Sequence, residues 1–314
     1  EAAWRALTAN NPLPAIMGRV CYHPCEDACN RKHVDSAVGI NSVERFLGVD
    51  WSGAKVGGNV YLAEVVRSDG GDVTVARVER SSRAQVEAEL RLRPDRRTLA
   101  GLDFSFSFPA DFVLDGRADW TWPELRRWTA ALVASSGGDV RAALHSAPER
   151  DQFRLVPGDR APLLRRRTEE ACVLLPASVF DLVVYQRQVT LGTIHGMAVL
   201  DHLADVEHLA VWPYDGDRVA AATTVVAEAY PSMWLDLDLR KGSDVDRREQ
   251  VSRWRARPDV VGLDADTVAL LHRSGDAADA LAVALALPDV PLNAPDDDLI
   301  TREGWILGFP PTFT

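Results

Sequence analysis

Three cysteines fall within nine residues near the start of the chain, Cys21, Cys25 and Cys29, while the fourth, Cys172, is remote. A disulfide framework wants dispersed, even-numbered cysteines in a small secreted chain. A clustered triple points instead to thiolates around a metal or an iron–sulfur cluster. Their spacing sets them one helical turn apart. A second reactive set is carboxylic. Asp50, Asp103 and Glu228 end or interrupt apolar runs (FLGVD, TLAGLDFSF, TTVVAE), and Asp276 and Asp279 lie three apart in GDAADALAVALA, on one helix face. Acids in apolar runs are costly unless paired, hydrogen-bonded or metal-bound, and several together repel one another without a cation between them. Oxygen donors of this kind suit Mg2+ or Mn2+, and two such ions about 4 Å apart can activate water and steady the leaving oxygen in phosphoester cleavage. Four of these acids also have a plainer use: Asp50 in a turn, Asp103 paired with an interior arginine, Glu228 on an edge strand, Asp276 as a helix N-cap. Asp279, facing the core in an Ala/Leu-rich helix, is harder to explain away.

A third set is cationic and polar. Arg154, Arg165, Arg166, Arg167, Gln188, Thr193 and His195 follow one another through the middle of the chain. Guanidinium forks match phosphate geometry, so all seven form the candidate substrate layer, with Arg154, Arg167, Gln188, Thr193 and His195 as the candidate substrate-binding residues. The competing use is a solvated arginine-rich surface. His195, read as a loop histidine near glycines, would serve as an acid or a phosphate contact.

The elements that must position these groups change character near residue 47. Residues 1–46 form a short segment containing proline and cysteine, with five Lys/Arg and five Asp/Glu. Beyond it the pattern alternates between strands and helices. FLGVD and VYLAEVV are apolar runs, DVTVARVER alternates with period two, RAQVEAELRL is an amphipathic helix with Ser82 as N-cap, and TLAGLDFSFSFP is a buried strand stopped at Pro109. The order is strand, strand, strand, helix, strand. A less regular, helix-containing insertion spans about 119–215, TTVVAEAYP is a further strand, and GDAADALAVALAL is a closing helix ended by Pro288. The expected class is α/β.

Composition narrows the function. Of 314 residues 46% are hydrophobic, enough for a sizeable core, and 46 acids against 35 bases give a net charge of −11. That balance excludes a general basic field for nucleic acid, so such binding would need a local patch. No run approaches the roughly 20 apolar residues of a membrane helix, and no secretory signal is visible, so a cytoplasmic location and no membrane partner are expected.

GVDWSG, GLDFSFSFP and GDAADALAVALA, in that order, resemble the ribonuclease H-like superfamily, and the last segment is similar to the final helix of RuvC-type Holliday-junction resolvases. With AEAYPS, RRRTEEAC and PASVFDLVVYQRQVTLGTIHGM, residues 47–314 look like the predicted nucleases of domain of unknown function 429. The resemblance implies a three-layer ribonuclease H-like fold with a mixed central sheet and a helical insertion, preceded by the Cys-containing segment. It also implies divalent-metal ligands at Asp50, Asp103, Asp276 and Asp279, with Glu228 as ligand or base, acting on nucleic acid or a small phosphoester. One departure is Asp103, where the resolvases usually carry Glu.

NPLPAIMGRVCYHPCEDACNR followed by INSVERFLG resembles the N-terminal iron–sulfur region of glutamate synthase small-subunit-like, FAD-dependent NAD(P)H oxidoreductases. That resemblance implies cluster thiolates at Cys21, Cys25 and Cys29, one short of the four that a [4Fe–4S] cluster takes, with the family's upstream cysteines falling before Glu1. The dinucleotide fingerprint G-x-G-x-x-G does not occur in the sequence. Two functions from different classes therefore stand: a two-metal nuclease or phosphodiesterase, and an iron–sulfur electron-transfer fragment fused to a non-catalytic ribonuclease H-like domain.

Overall fold

A computed structural model describes residues 45–53, 59–68, 71–94, 96–172, 178–183, 189–236, 238–239 and 243–309. The chain divides between Glu44 and Arg45 into two units. The first lies outside the described residues, and with it Cys21, Cys25 and Cys29.

In the second unit the strands are β1 (Arg45–Asp50), β2 (Val60–Arg67), β3 (Val73–Ser81), β4 (Thr98–Asp103), β5 (Leu209–Trp212), β6 (Thr224–Glu228) and β7 (Val260–Val261). The α-helices are α1 (Arg83–Arg91), α2 (Trp122–Ser135), α3 (Val140–Ser146), α4 (Arg167–Ala171), α5 (Val189–His202), α6 (Arg218–Ala221), α7 (Asp244–Ala256), α8 (Ala265–Arg273), α9 (Gly275–Ala286) and α10 (Ile300–Glu303). One sheet runs in the order β5-β6-β4-β1-β2-β3-β7. The meander β1-β2-β3 is antiparallel, whereas β1-β4, β4-β6, β5-β6 and β3-β7 are parallel. The domain is thus mixed α/β. Among the described residues no helix is long and apolar enough to cross a membrane.

Alternation along the strands sends successive side chains to opposite faces. Leu47, Val49, Ala100 and Leu102 point into a cluster with Val86 and Leu90 of α1, Leu125 and Leu132 of α2, and Ile194 and Met197 of α5. The other face is covered by α9. There Gly48 and Gly101 are register partners, and a Cβ on Gly48 would stand 2.0 Å from the Ala280 carbonyl oxygen and 2.5 Å from the Ala284 nitrogen. The missing side chain is what lets the Ala-rich helix lie directly on the sheet. Helices on both faces give three layers.

The direction of α9 follows from one bond. Arg67 at the end of β2 donates to the Pro288 carbonyl just past the helix, and the β1–β2 register places Arg67 beyond the start of β1. The helix therefore runs antiparallel to β1, and its N-terminal turns lie toward the strand end that carries Asp50. Ser274 caps α9 by accepting from the Ala277 amide at 3.1 Å, so the cap reading of Asp276 gives way to an exposed first-turn acid. The Ser82 cap on α1 stands, accepting from Gln85 N at 3.2 Å.

Candidate functional site

Asp50 and Asp103 are Cα partners at the C-terminal ends of two adjacent parallel strands. They stand two residues beyond Gly48 and Gly101, so alternation puts both on the α9 face. Asp279 is 6% exposed on α9 and lies in the half of the helix directed to the same strand ends. Open α/β sheets bind ligands in this position, outside the carboxyl ends of parallel strands. Three of the five acids singled out in the sequence thus belong to one end and one face of the sheet. Asp50, Asp103 and Asp279 all take part in polar interactions and none stands idle.

The metal expectation fits less well. Among the described residues no group of three or more His, Cys, Asp or Glu side chains is disposed to hold a metal ion. The acids share an end of the sheet without forming a cation cage, so they offer Mg2+ or Mn2+ no ready-made seat. Glu228 is a clearer correction. It is 4% exposed at the end of β6, and Arg166 donates to both its oxygens, Nη1 to Oε2 at 2.7 Å and Nη2 to Oε1 at 2.5 Å. The Phe106 amide adds a third bond, at 2.9 Å to Oε2. A carboxylate with both oxygens engaged is a structural anchor, neither an open ligand nor a base.

The arginine layer is reassigned for the same kind of reason. Arg166, 1% exposed, also donates to Glu169 Oε1 at 2.9 Å and to the Glu303 carbonyl at 3.0 Å. One guanidinium faces two buried carboxylates. Burial, together with repulsion from Glu228, accordingly holds the Glu169 carboxyl above the usual range despite the Arg166 charge. Arg154 donates to the Ala161 carbonyl at 2.6 Å, and its backbone bridges to Asp181; it ties the insertion together. Arg167 bonds Asp297 at 2.5 Å on the surface. Thr193 is fully buried, its hydroxyl without a partner, and is closed off from solvent. Gln188 lies outside the described residues.

His195 sits within α5, not in a loop. Its flanking glycines act by close approach instead of breaking the helix. A Cβ on Gly196 would meet the Phe104 ring at 2.4 Å, and Gly53 has room beside α5 only because it lacks a Cβ, which would stand 2.4 Å from Gly192 N. The loop after β1 and the residue after β4 are thereby pressed onto one helix. Burial, and then the Arg83 guanidinium, push the His195 imidazole down to about 4. It is neutral at ordinary pH and carries no spare proton to act as an imidazolium acid.

Two groups at this loop do not stand out in the sequence as site residues. Arg83, first residue of α1, donates Nη1 to the Ser52 carbonyl at 2.9 Å, and burial holds its pKa below the usual value. Trp51, 7% exposed, packs its ring 5.0 Å from Phe104 with its indole N–H unpartnered. Trp51 adjoins Asp50 in GVDWSG, which is a usable signal. Nothing in the sequence distinguishes Arg83 from the other surface-type arginines.

Comparison with known proteins bears on the front of the chain. Residues 1–55 match the family model described as dihydroprymidine dehydrogenase domain II, 4Fe-4S cluster. Over 36 residues the chain is 56% identical to the NADPH-Fe(3+) oxidoreductase subunit beta of Geobacter sulfurreducens, covering 12% of this chain and 5% of that one. Over 47 residues it is 36% identical to the NADP(+)-dependent formate dehydrogenase subunit beta of Moorella thermoacetica, covering 15% and 7%. It is 49% identical over 47 residues to the glutamate synthase [NADH] of Schizosaccharomyces pombe, covering 15% and 2%. The chain thus spans a small fraction of the length of these relatives. No solved structure matches it significantly. These matches support the iron–sulfur resemblance of the front segment and lend none to the nuclease resemblance of residues 47–314.

Proposed function

We propose that the front segment is an iron–sulfur electron-transfer element of the NAD(P)H-oxidoreductase kind, joined to the α/β domain. The observation that carries this is the family match over residues 1–55, which includes Cys21, Cys25 and Cys29. Thiolates at these positions would hold cluster iron, and the bound cluster would supply one-electron transfer. Three thiolates leave one ligand to come from elsewhere. Cys172, 2% exposed at the C-terminal cap of α4, is not assigned to that role. Anaerobic reconstitution of the full chain with iron and sulfide should give stoichiometric bound iron and a reducible chromophore. Cys25→Ser should abolish both, and Cys172→Ser should change neither. Absence of bound iron in the reconstituted wild type would refute the reading.

A second reading concerns the α/β domain, favoured by Asp50 and Asp103 standing in register at the strand ends with α9 directed toward them. On this reading the domain is a ribonuclease H-like phosphoesterase, acting on nucleic acid or a small phosphoester. A divalent ion held by Asp50, Asp103 and the α9 acids would supply the Lewis acid; its site would be completed by substrate phosphate, since the described side chains form no cage. Asp50→Asn keeps the shape of the side chain and removes its charge. With a bound phosphodiester, Mg2+ or Mn2+ should raise the melting temperature of wild type and not of Asp50→Asn, and any hydrolysis should vanish with the substitution. Identical metal responses in the two proteins would count against the reading.

A further inference from the structure

We infer that the paired helices α7 and α8 present a nucleic-acid docking surface, on which Arg248, Arg255 and Arg273 hold the phosphodiester backbone of a strand and lead it toward the strand-end acids. The inference deepens the phosphoesterase reading and rests on it for the choice of a phosphodiester polymer over other polyanions. Its ground is the way charge is sorted on the two helices. With a net charge of −11 the chain as a whole repels a polyanion, so only a local excess of cation can hold one. Much of the charge around α7 is already matched. Arg253 is bound by Asp236, Asp238 and Glu249, and Arg257 by Asp259. Asp264 caps α8, accepting from the Thr267 amide at 2.7 Å.

Arg247 ties the helices together. Its Nη2 donates to the His272 carbonyl at 2.9 Å and to Asp244 at 2.6 Å, and a Cβ on Gly275 would stand 4.0 Å from its Nη1. The first turn of α7, the last turn of α8 and the start of α9 therefore meet at one guanidinium. Arg248, next to Arg247, and Arg273, next to His272, border this junction. Arg255 follows Arg248 by seven residues, so the two share a face of α7 about 10 Å apart. Arg248, Arg255 and Arg273 are exposed, and none of them makes an ion pair among the described residues. Desolvation, and then the Arg248, Arg247 and Arg255 guanidiniums, hold the His272 imidazole below its usual range. The positive field is thus concentrated where the two helices meet.

Guanidinium forks bind phosphate oxygens in pairs. A separation of about 10 Å spans roughly three nucleotides at a rise of ~3.4 Å each, so Arg248 and Arg255 can grip one strand at two phosphates. The row also leads to the acids. Only Ser274 separates α8 from α9, and the N-terminal turns of α9 lie toward the sheet end that carries Asp50 and Asp103. Arg273 precedes Asp276 by three residues and Asp279 by six. Asp266, in the first turn of α8, marks the far limit of the patch. A small phosphoester has no use for cations spread over two helical turns, whereas a polymer engages all of them. Of the phosphate contacts expected from the sequence, Arg154 and Arg167 are engaged elsewhere; Arg248, Arg255 and Arg273 take the role they were assigned.

The test follows the fluorescence anisotropy of a labelled oligothymidylate with the full chain, in EDTA so that no metal-dependent cleavage occurs. The triple variant Arg248→Gln/Arg255→Gln/Arg273→Gln should weaken binding by about tenfold or more at low salt. It should also flatten the slope of log K against log salt by about 2, at roughly 0.7 per phosphate contact. The control Arg93→Gln/Arg127→Gln/Arg160→Gln removes the same charge from exposed arginines elsewhere and should bind as wild type does. Equal weakening in the two triple variants, or none in either, would overturn the surface. So would competition by phosphatidylserine vesicles or polyglutamate as strong as that by unlabelled oligothymidylate. Asp50→Asn should bind like wild type. A wild type that binds the oligonucleotide but hydrolyses no phosphodiester defeats the phosphoesterase reading alone; one that hydrolyses a small diester yet binds no oligonucleotide defeats this inference alone.

Discussion

Arg166→Leu should destabilise the α/β domain by about 3–5 kcal/mol, the scale for removing one partner of a buried ion pair. Leucine fills much of the volume but cannot donate. Glu228 would lose Nη1 and Nη2, Glu169 would lose Nε, and the Glu303 carbonyl would lose its donor. Two carboxylates would then share a site with no cation, and the cheapest relief is protonation. Their folded-state pKa values would rise above the unfolded value. A raised carboxyl pKa favours the native state where the group is protonated and costs stability once pH climbs past the unfolded pKa. The deficit of Arg166→Leu should therefore be small near pH 4 and grow toward neutrality. Chemical denaturation at pH 4.5 and pH 7.5 checks this. A deficit independent of pH would mean that lost packing, not uncompensated charge, causes the damage. The double variant Arg166→Leu/Glu228→Gln should recover part of the loss at pH 7.5, because it removes one of the stranded charges.

The same network shows what the sequence can and cannot disclose. RRRTEEAC presents three adjacent arginines, and nothing local says that Arg166 is buried while Arg165 and Arg167 are exposed. Apart from Glu169, its partners come from β6 and from α10, 62 and 137 residues away. Glu228 ends a fully buried strand, and the sequence pattern there suits a catalytic acid and a structural anchor equally. The strand meander, α1, β4 and the closing helix are legible because their apolar periods and caps are local. So is the placement of Asp50 at a strand end; Asp103 reads as lying within a strand that runs on to Pro109, whereas β4 ends at Asp103. Their register is not, since it depends on which strands pair. His195 reads as a loop residue because Gly192 and Gly196 resemble breakers; their reason is the Trp51–Gly53 loop and Phe104, which lie far away in sequence. Helix α7 escapes the pattern for another reason: it is so polar that it buries only Gln250, Val251 and Trp254 and shows no broad apolar stripe.

Gly48→Ala should be among the most damaging single-methyl additions in the domain, and Gly101→Ala far milder, although the two glycines are register partners on one face. The difference lies in what each new Cβ would strike. At Gly48 it meets backbone, the Ala280 oxygen at 2.0 Å and the Ala284 nitrogen at 2.5 Å. Helix backbone cannot give locally, so α9 must lift or slide as a body. At Gly101 the nearest atom is Val283 Cγ1 at 2.7 Å, a side-chain methyl that must shift to make room but can do so without displacing the α9 backbone. Overpacking a close-packed core costs typically about 1–3 kcal/mol. Gly101→Ala should fall near the lower end and Gly48→Ala at or above the upper end, as read by urea denaturation. The displacement also reaches the site, because α9 carries Asp279 on the buried face and Asp50 is two residues from the point of contact. If the strand-end acids cooperate, Gly48→Ala at a temperature where it remains folded should weaken any response to divalent metal, while Gly101→Ala should keep it. Equal stability of the two variants would mean that α9 is not seated on β1 at Gly48, and the placement of Asp279 at the same end of the sheet as Asp50 and Asp103 would lose its structural basis.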